Sequence, residues 1–454
     1  MLSCCALIIE VAEVEAELVQ LKKTAAGPSG IPFWVYSMCA PVLAPVITGL
    51  FQNCLVTQTF PKVFKRELIS PIPKIRNAKA CRDYRPISVT EILARVFERV
   101  LLRRYLERVL NHIPTDQHGF QQRRSTLTAL IDLHSKLLQE LSSSGGAFLA
   151  TIDLSKAFDQ VRHSICIENA LYMGVDHTIV NILRDFLKDR IKSVKIGNRQ
   201  SRWRRVNRGI GQGTVQGPIL FLIATAFLNI CIPNIKYADD TSLVFPKNCS
   251  IAEIEITINK LAKSYGKIGL SLNADKTKIM PIGRSTPVSN QCVRLVRILG
   301  VSINSKLRVS EHILQKCKEV SSSIFALRRI KRDLRFSLAT SEFLFVTVVL
   351  SKFLYGVEFW WPLLKLSDIS LINRTIKRAK RYALVSNGFS IEHSVMGRQL
   401  RLFKKLCASD SLFKSPTLAY FGRRYVSPLI RTERDRRFFM NFMTFYCNDK
   451  RILV

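Results

Sequence analysis

Two periods of apolar spacing run through the chain and divide it into helices and short strands. Ile251, Ile254, Ile258, Leu261 and Tyr265 recur at helical spacing and stop at Gly266. The same pattern predicts helices over 11–24, 92–110 and 126–142, and a helical stretch from the GPSG turn at 27–30 to about 57. Short strands are expected near 68–73, 270–280 and 296–303. Two runs differ from the rest. AFLATID (147–153) reads as a buried strand, entered from the SSSGG turn, that ends on Asp153. IPNIKYADDTSLVFP (232–246) reads as a β-hairpin whose turn holds Asp239 and Asp240. Strand, helix, hairpin, helix, strand is an α+β layer, a small sheet backed by helices. Beyond about residue 304 the pattern becomes mostly helical and basic.

Charge narrows the partner. The 454 residues hold 69 Lys and Arg against 34 Asp and Glu, a net charge of +35. Such an excess calls for a polyanion, nucleic acid first and an anionic membrane surface second. From residue 371 onward there are 18 Lys and Arg against 5 acidic residues. That region includes RTIKRAKR (374–381), with Lys377, Lys380 and Arg381 on one helical face, and RTERDRR (431–437). The uncharged stretches 32–61 and 209–235 approach membrane length. Pro41, Pro45, Gln52 and Asn53 in the first, and Asn229, Pro233 and Asn234 in the second, make them buried core elements rather than spans. No membrane partner is therefore expected. Twelve cysteines without a C-x2-C pair argue against a zinc ribbon or knuckle. MLSCCALII is too short for a span and lacks a basic n-region, so reduced thiols in an intracellular protein of nucleus or cytoplasm are expected.

The carboxylates carry the chemistry. Adjacent Asp239 and Asp240 repel unless a cation neutralises them, and a second strand delivers Asp153. Two strands each supplying a carboxylate can assemble a divalent-metal site for phosphoryl transfer.

Taken in order, five motifs resemble motifs A to E of a reverse-transcriptase palm: DLSKAFD (153–159), GQGTVQGP (211–218), YADD (237–240), LNADKTKIM (272–280) and ILGVSI (298–303). PIPK (71–74), DYRPIS (83–88) and QHGFQQRRST (117–126) resemble the fingers. AAGPSGIP (25–32) and FLYGVEFWWP (353–362) resemble the flanking regions of non-LTR, LINE-like retrotransposon polymerases. The resemblance implies a right-hand polymerase with leader helices over 1–60, fingers and palm over 61–303, a helical thumb over 304–384 and a basic segment over 385–454. It implies an RNA-directed DNA polymerase that extends a primer 3′-hydroxyl on an RNA template with dNTPs, using Mg²⁺ with Mn²⁺ as the alternative ion.

By the same resemblance Asp153 and Asp239 hold the metals, with Asp240 secondary and the Leu154 carbonyl as a backbone ligand. Lys276 is the candidate general acid toward pyrophosphate, in competition with Lys278. Lys74 and Arg85 face the triphosphate, Gln212 and Gly213 the nucleotide, and Leu299 with Gly300 the primer backbone. Phe158 stands where a steric gate excludes a ribose 2′-hydroxyl, against the alternative of a core Phe. Asp159 is expected in a cap or structural hydrogen bond. The loop departs from the usual PQGSxLGP, with Gly211 in place of Pro and Gln216 in place of an aliphatic residue, and the span 218–237 is short for the family. Neither an N-terminal endonuclease nor a C-terminal nuclease knuckle fits the sequence, so the chain reads as the polymerase portion of a longer element. The reading in a different class is a decayed remnant that only binds RNA or DNA.

Overall fold

The computed structural model describes residues 7–283, 292–408, 420–421, 424–425 and 437–449. Strands are numbered in chain order: β1 (Arg66–Pro73), β2 (Tyr84–Val89), β3 (Gly146–Ile152), β4 (Arg190–Ile196), β5 (Arg199–Gln200), β6 (Arg204–Val206), β7 (Asn234–Tyr237), β8 (Asp240–Pro246), β9 (Lys278–Gly283), β10 (Leu295–Ile298) and β11 (Val301–Asn304). Two compact units share them. One comprises the residues up to Pro114 with Leu154–Asn229 and Ile258–Asn273; the other comprises Thr115–Asp153, Ile230–Thr257 and the residues from Ala274 onward.

In the second unit AFLATI becomes the inner strand β3 of an antiparallel sheet ordered β7-β8-β3-β9. Five of the seven residues in β3 are apolar, and six of the seven are buried, as a strand covered on both faces requires. Leu149, Val244, Met280 and Ile282 join Leu130, Leu133 and Leu137 of helix Thr126–Ser144 in one core. That helix starts at Ser125, whose Oγ accepts from Thr128 N at 3.3 Å, and ends at Gly145 with φ +76°. Residues 116–119 run along the outer edge of β7 as a strap, with a parallel bridge between Gln117 and Lys236. The β10–β11 hairpin, helix Ser310–Leu334 and helix Leu366–Arg381 complete the core through Val296, Ile313, Ile324, Ile372 and Ala379.

In the first unit β2, β1, β4 and β5 lie in that order with β6 on β4, and β1 runs parallel to β4. Phe51 and Phe60 stack on Phe97 with ring centroids 4.6 and 5.6 Å apart, and Phe186 meets Phe60 edge-on at 5.0 Å. Glu17 binds Arg99 and Arg103, and Glu13 binds Arg104 at 2.8 Å, which ties helix Val11–Val19 to helix Ile92–Leu110.

Several elements differ from the sequence reading. The first helix stops at Val19 rather than 24, and the next stretch splits at Cys39 into Phe33–Met38 and Ala40–Thr57. Of the expected strand near 270–280 only the last three residues are extended, in β9 (Lys278–Gly283), because Asn273, Ala274 and Asp275 lead into a 3-10 turn. The run 296–303 is a hairpin rather than one strand. The sheet edge β4–β6 has no counterpart in the sequence reading. Helix Ala40–Thr57 is long and apolar enough to cross a membrane, and the bent pair Leu338–Phe353 with Val357–Leu363 passes the same test jointly. Ala44, Ile47, Phe51 and Leu55 of the former are buried, but Val42, Val46 and Val56 are exposed, so it is core on one face only. Helix Gly217–Thr225 is buried over nearly its whole length, as expected of the second uncharged stretch.

Leu149 is fully buried on the inner strand. Leu149→Ala should lower the unfolding free energy by about 3 kcal/mol, measured by urea denaturation; a change within error would show that this sheet face is not the core of its unit.

Candidate active site

The β3–β8 register sets the carboxylate cluster. Ile152 pairs with Thr241 and Tyr237 with Asp240, so Asp153 follows the end of β3 on the level of Asp240. The turn is only Ala238 and Asp239, and Ala238 takes φ +56°, a conformation rare for a residue with a Cβ. Lys276, on the 3-10 turn Ala274–Lys276, donates from Nζ to Asp153 Oδ2 at 3.0 Å. Lys278 lies exposed on β9 opposite Thr151, and the ion pair with Asp153 belongs to Lys276.

Burial and the like charges of Asp239 and Asp153 push the Asp240 carboxyl up to about 6, with Lys276 opposing, although Asp240 itself reaches solvent. Crowded carboxylates of this kind favour a cation, and an all-oxygen donor set suits a hard divalent ion. Among the described residues no group of three or more His, Cys, Asp or Glu is gathered as a complete ligand cage. The residues therefore fit ions that keep water or substrate oxygens in their shell, as Mg²⁺ does.

The remaining predicted residues fall into separate groups. In the first unit, Arg85 pairs with Ile72, two residues before Lys74, and Lys74 N continues the ladder to Asp83 O at 2.7 Å. Period two thus puts both exposed cations on one face of the β1–β2 hairpin. Gln212 O accepts from Ser88 N of that hairpin at 2.6 Å. Gly213 has φ +108°, and a Cβ there would meet Ser88 O at 2.9 Å, so glycine is required twice over. Phe158 is half-buried and stacks on Phe221 with centroids 5.0 Å apart and planes at 15°. Leu154 is buried and bridges Leu272.

Asp159 lies on the short helix Ala157–Gln160. The next helix begins at Arg162 without a side-chain cap, so the expected capping role of Asp159 is not found. Burial raises the Asp159 carboxyl above its usual range against the pull of Lys192, Lys156 and Lys74.

In the second unit, Leu299 (φ +46°) and Gly300 (φ +86°) form the β10–β11 turn. Tyr355 Oη donates to Leu299 O at 2.8 Å, and a Cβ on Gly300 would lie 2.8 Å from the Tyr355 ring. On helix Leu366–Arg381, Arg374, Lys377 and Arg381 are exposed, whereas Lys380 donates to Asn387 O at 2.7 Å and leaves the expected face. Of the second basic run, residues 431–436 lie outside the described residues.

The unusual loop residues have partners that the sequence reading missed. Gln216 is buried: its N–H donates to Glu98 Oε2 and its Nε2 to Glu98 O, both at 3.0 Å, and its Oε1 accepts from Tyr105. A Cβ on Gly211 would lie 3.0 Å from Ser88 Oγ and 3.1 Å from Glu67 Oε2, so the glycine makes room for a buried Ser88–Glu67–Arg190 chain. Burial opposes ionisation of Glu67, but Arg190, Lys192 and Ser88 hold it below the usual carboxylate range. Burial instead lifts Glu98 to about 7 despite the backbone donors of Gln216 and Val215. Glu98 is one of two glutamates among five arginines in helix 92–110, so nothing in the sequence set it apart.

Residues 72–303 match the family model for reverse transcriptase (RNA-dependent DNA polymerase), and the chain belongs to that family. Its α+β fold is that of a right-hand polymerase. It is 26% identical over 401 residues to the probable RNA-directed DNA polymerase from transposon BS of Drosophila melanogaster, covering 80% of this chain and 43% of the relative. It is 26% identical over 290 residues to the RNA-directed DNA polymerase from mobile element jockey of the same organism, covering 58% and 31%. The chain thus spans less than half the length of these relatives. Apo telomerase from Candida tropicalis is similar over 80% of this chain and 66% of its own, at 14% identity and a TM-score of 0.43, a likeness too distant to carry weight.

Because Glu98 is held protonated in the fold up to about pH 7, its stability contribution is complete at low pH. It falls away as the pH rises from the ordinary carboxylate range through 7. Glu98→Gln should flatten that slope in melting temperature between pH 4.5 and 8; parallel curves for parent and variant would refute it. Gly213→Ala should lower the melting temperature, because the added Cβ meets Ser88 O and the φ is unfavourable; an unchanged transition would show that the loop is not held against β2.

Proposed function

We propose that the chain is an RNA-directed DNA polymerase, adding deoxynucleotides to a primer 3′-hydroxyl on an RNA template. The observation that carries this reading is the meeting of Asp153 with Asp239 in the β7–β8 turn and Asp240 at the start of β8, beside Lys276. Asp153 and Asp239 are the proposed metal ligands, with Asp240 secondary and the Leu154 carbonyl assisting. Divalent ions bound there, Mg²⁺ or Mn²⁺, supply Lewis-acid activation of the attacking hydroxyl and neutralise charge on the leaving pyrophosphate.

The chain's own residues do the rest. Lys276 carries a proton at Nζ and delivers it toward the departing pyrophosphate. Arg85 offers a bidentate fork and Lys74 a point charge to the triphosphate. The Phe158 ring excludes a 2′-hydroxyl, the group that separates ribose from deoxyribose. Gln212 and Gly213 contact the nucleotide, and Leu299–Gly300 the primer backbone. The β1–β2 hairpin belongs to the fingers, the Asp153 sheet to the palm, and the helices after 304 to a thumb that tracks nucleic acid with Arg374, Lys377 and Arg381. The setting is intracellular.

Primer extension on poly(rA)/oligo(dT) with Mg²⁺ and labelled dTTP tests this. Incorporation is expected from the parent and none from Asp239→Ala; tight RNA binding without incorporation by the parent would leave only the remnant reading. The paired Gly211 and Gln216 substitutions favour the active reading, because each has a specific buried partner. In the same assay Phe158→Ala should admit ribonucleotides, and unchanged sugar discrimination would remove the gate.

A further inference from the structure

The Ala238 turn that presents Asp239 is held by one side chain from elsewhere in the sequence. Gln117 is only 2% exposed. Its Oε1 accepts from Ala238 N at 3.0 Å and from Gly119 N at 2.8 Å, and its Nε2 donates to Ala238 O at 3.4 Å. The amide therefore grips the peptide units on both sides of Ala238, and the second of these ends at the nitrogen of Asp239. Held at both ends, Ala238 is kept at φ +56°, a conformation that residues with a Cβ rarely adopt.

The strap that carries Gln117 is itself fixed. His118 N donates to Lys236 O at 2.7 Å, and Lys236 N to Asp116 O at 2.8 Å. Lys236 Nζ lies 3.4 Å from Asp116, and Arg124 donates to Gln117 O at 2.9 Å. The His118 ring is anchored on helix Thr126–Ser144 by Thr128 at 2.9 Å and Asp132 at 3.3 Å. Gly119 passes so close that a Cβ would collide with the Ala238 nitrogen.

We propose that Gln117 is a positioning residue that sets the direction of the Asp239 carboxylate, and with it the affinity of the carboxylate cluster for divalent ions. Gln117 acts through the backbone of the turn, whose N–H and C=O groups its amide holds. The inference rests on the polymerase reading for its purpose, but its test does not. A buried glutamine that served stability alone would leave ion affinity untouched once the protein is folded.

The experiment is Mn²⁺ binding to the full chain, read by loss of the free-ion electron paramagnetic resonance signal, with the folded state checked by circular dichroism. Gln117→Leu should weaken Mn²⁺ binding by about tenfold or more, the usual size of effect when a group orienting a metal ligand is lost. In primer extension the half-saturating Mg²⁺ should rise by a similar factor, with a smaller change in maximal rate at saturating ion. Gln117→Glu keeps an oxygen for both N–H groups and should recover most of the affinity. If Gln117→Leu does not fold, Gln117→Asn, whose shorter arm cannot span both N–H groups, is measured in its place with the same expectation. Unaltered Mn²⁺ affinity in a folded variant overturns the proposal. A parent that binds Mn²⁺ but extends no primer sinks the polymerase reading while the clamp is still decided by Mn²⁺ alone, and a parent that binds no Mn²⁺ overturns both.

Discussion

The register of β3 against β8 is the constraint on which the carboxylate cluster depends. Because side chains alternate along a strand, a slip of one residue would send Asp153 to the opposite face from the one it now shares. The register is fixed by the apolar faces of the sheet, where Leu149 and Val244 pair and both are buried. Core packing thus does the aiming. The electrostatic cost of three neighbouring carboxylates is borne by a sheet whose interior is apolar and by Lys276, which pairs with Asp153.

The same fold contains two buried glutamates handled in opposite ways. Glu67 keeps its charge because Arg190 and Lys192 come to it. Glu98 sits inside helix Ile92–Leu110 with only backbone and amide partners, and burial favours its proton. Both back onto the loop 211–217, where the chain departs from the usual motif. The substitutions in that loop are therefore matched to their surroundings: a glycine where a carboxylate and a hydroxyl need room, and a glutamine where a buried acid and Tyr105 need a partner. The match is not complete, since Glu98 Oε1 and Arg190 Nη2 are buried without a hydrogen-bond partner among the described residues.

How much of this could be read from sequence follows from where each signal lies. Helix Ile92–Leu110 and the Tyr237–Asp240 turn were legible because periodicity and turn chemistry are local. So was the order of the motifs, and with it the cluster of Asp153, Asp239 and Asp240. The strand β4, RIKSVKI, was not, because its Lys and Arg break the alternation and its pairing to β1 spans more than a hundred residues. The region before β9 misled because NADK turns while its apolar neighbours look extended. Gln117, Glu98 and Tyr355 could not be singled out at all: their partners lie 121, 118 and 56 residues away, and each looks ordinary in its own segment.

The division into two interleaved units carries a consequence for synthesis. The chain passes from one unit to the other five times, at 114, 153, 229, 257 and 273. The first unit is therefore still incomplete when the inner strand of the second has already left the ribosome. Strand β1 must wait for β4, more than a hundred residues later, and β3 for β9. Nothing resembling a finished unit exists until about residue 273 has been made, so the nascent chain carries unpaired strand edges through most of its translation. The large excess of positive charge, which suits a nucleic-acid partner in the finished protein, also keeps those edges apart while they wait.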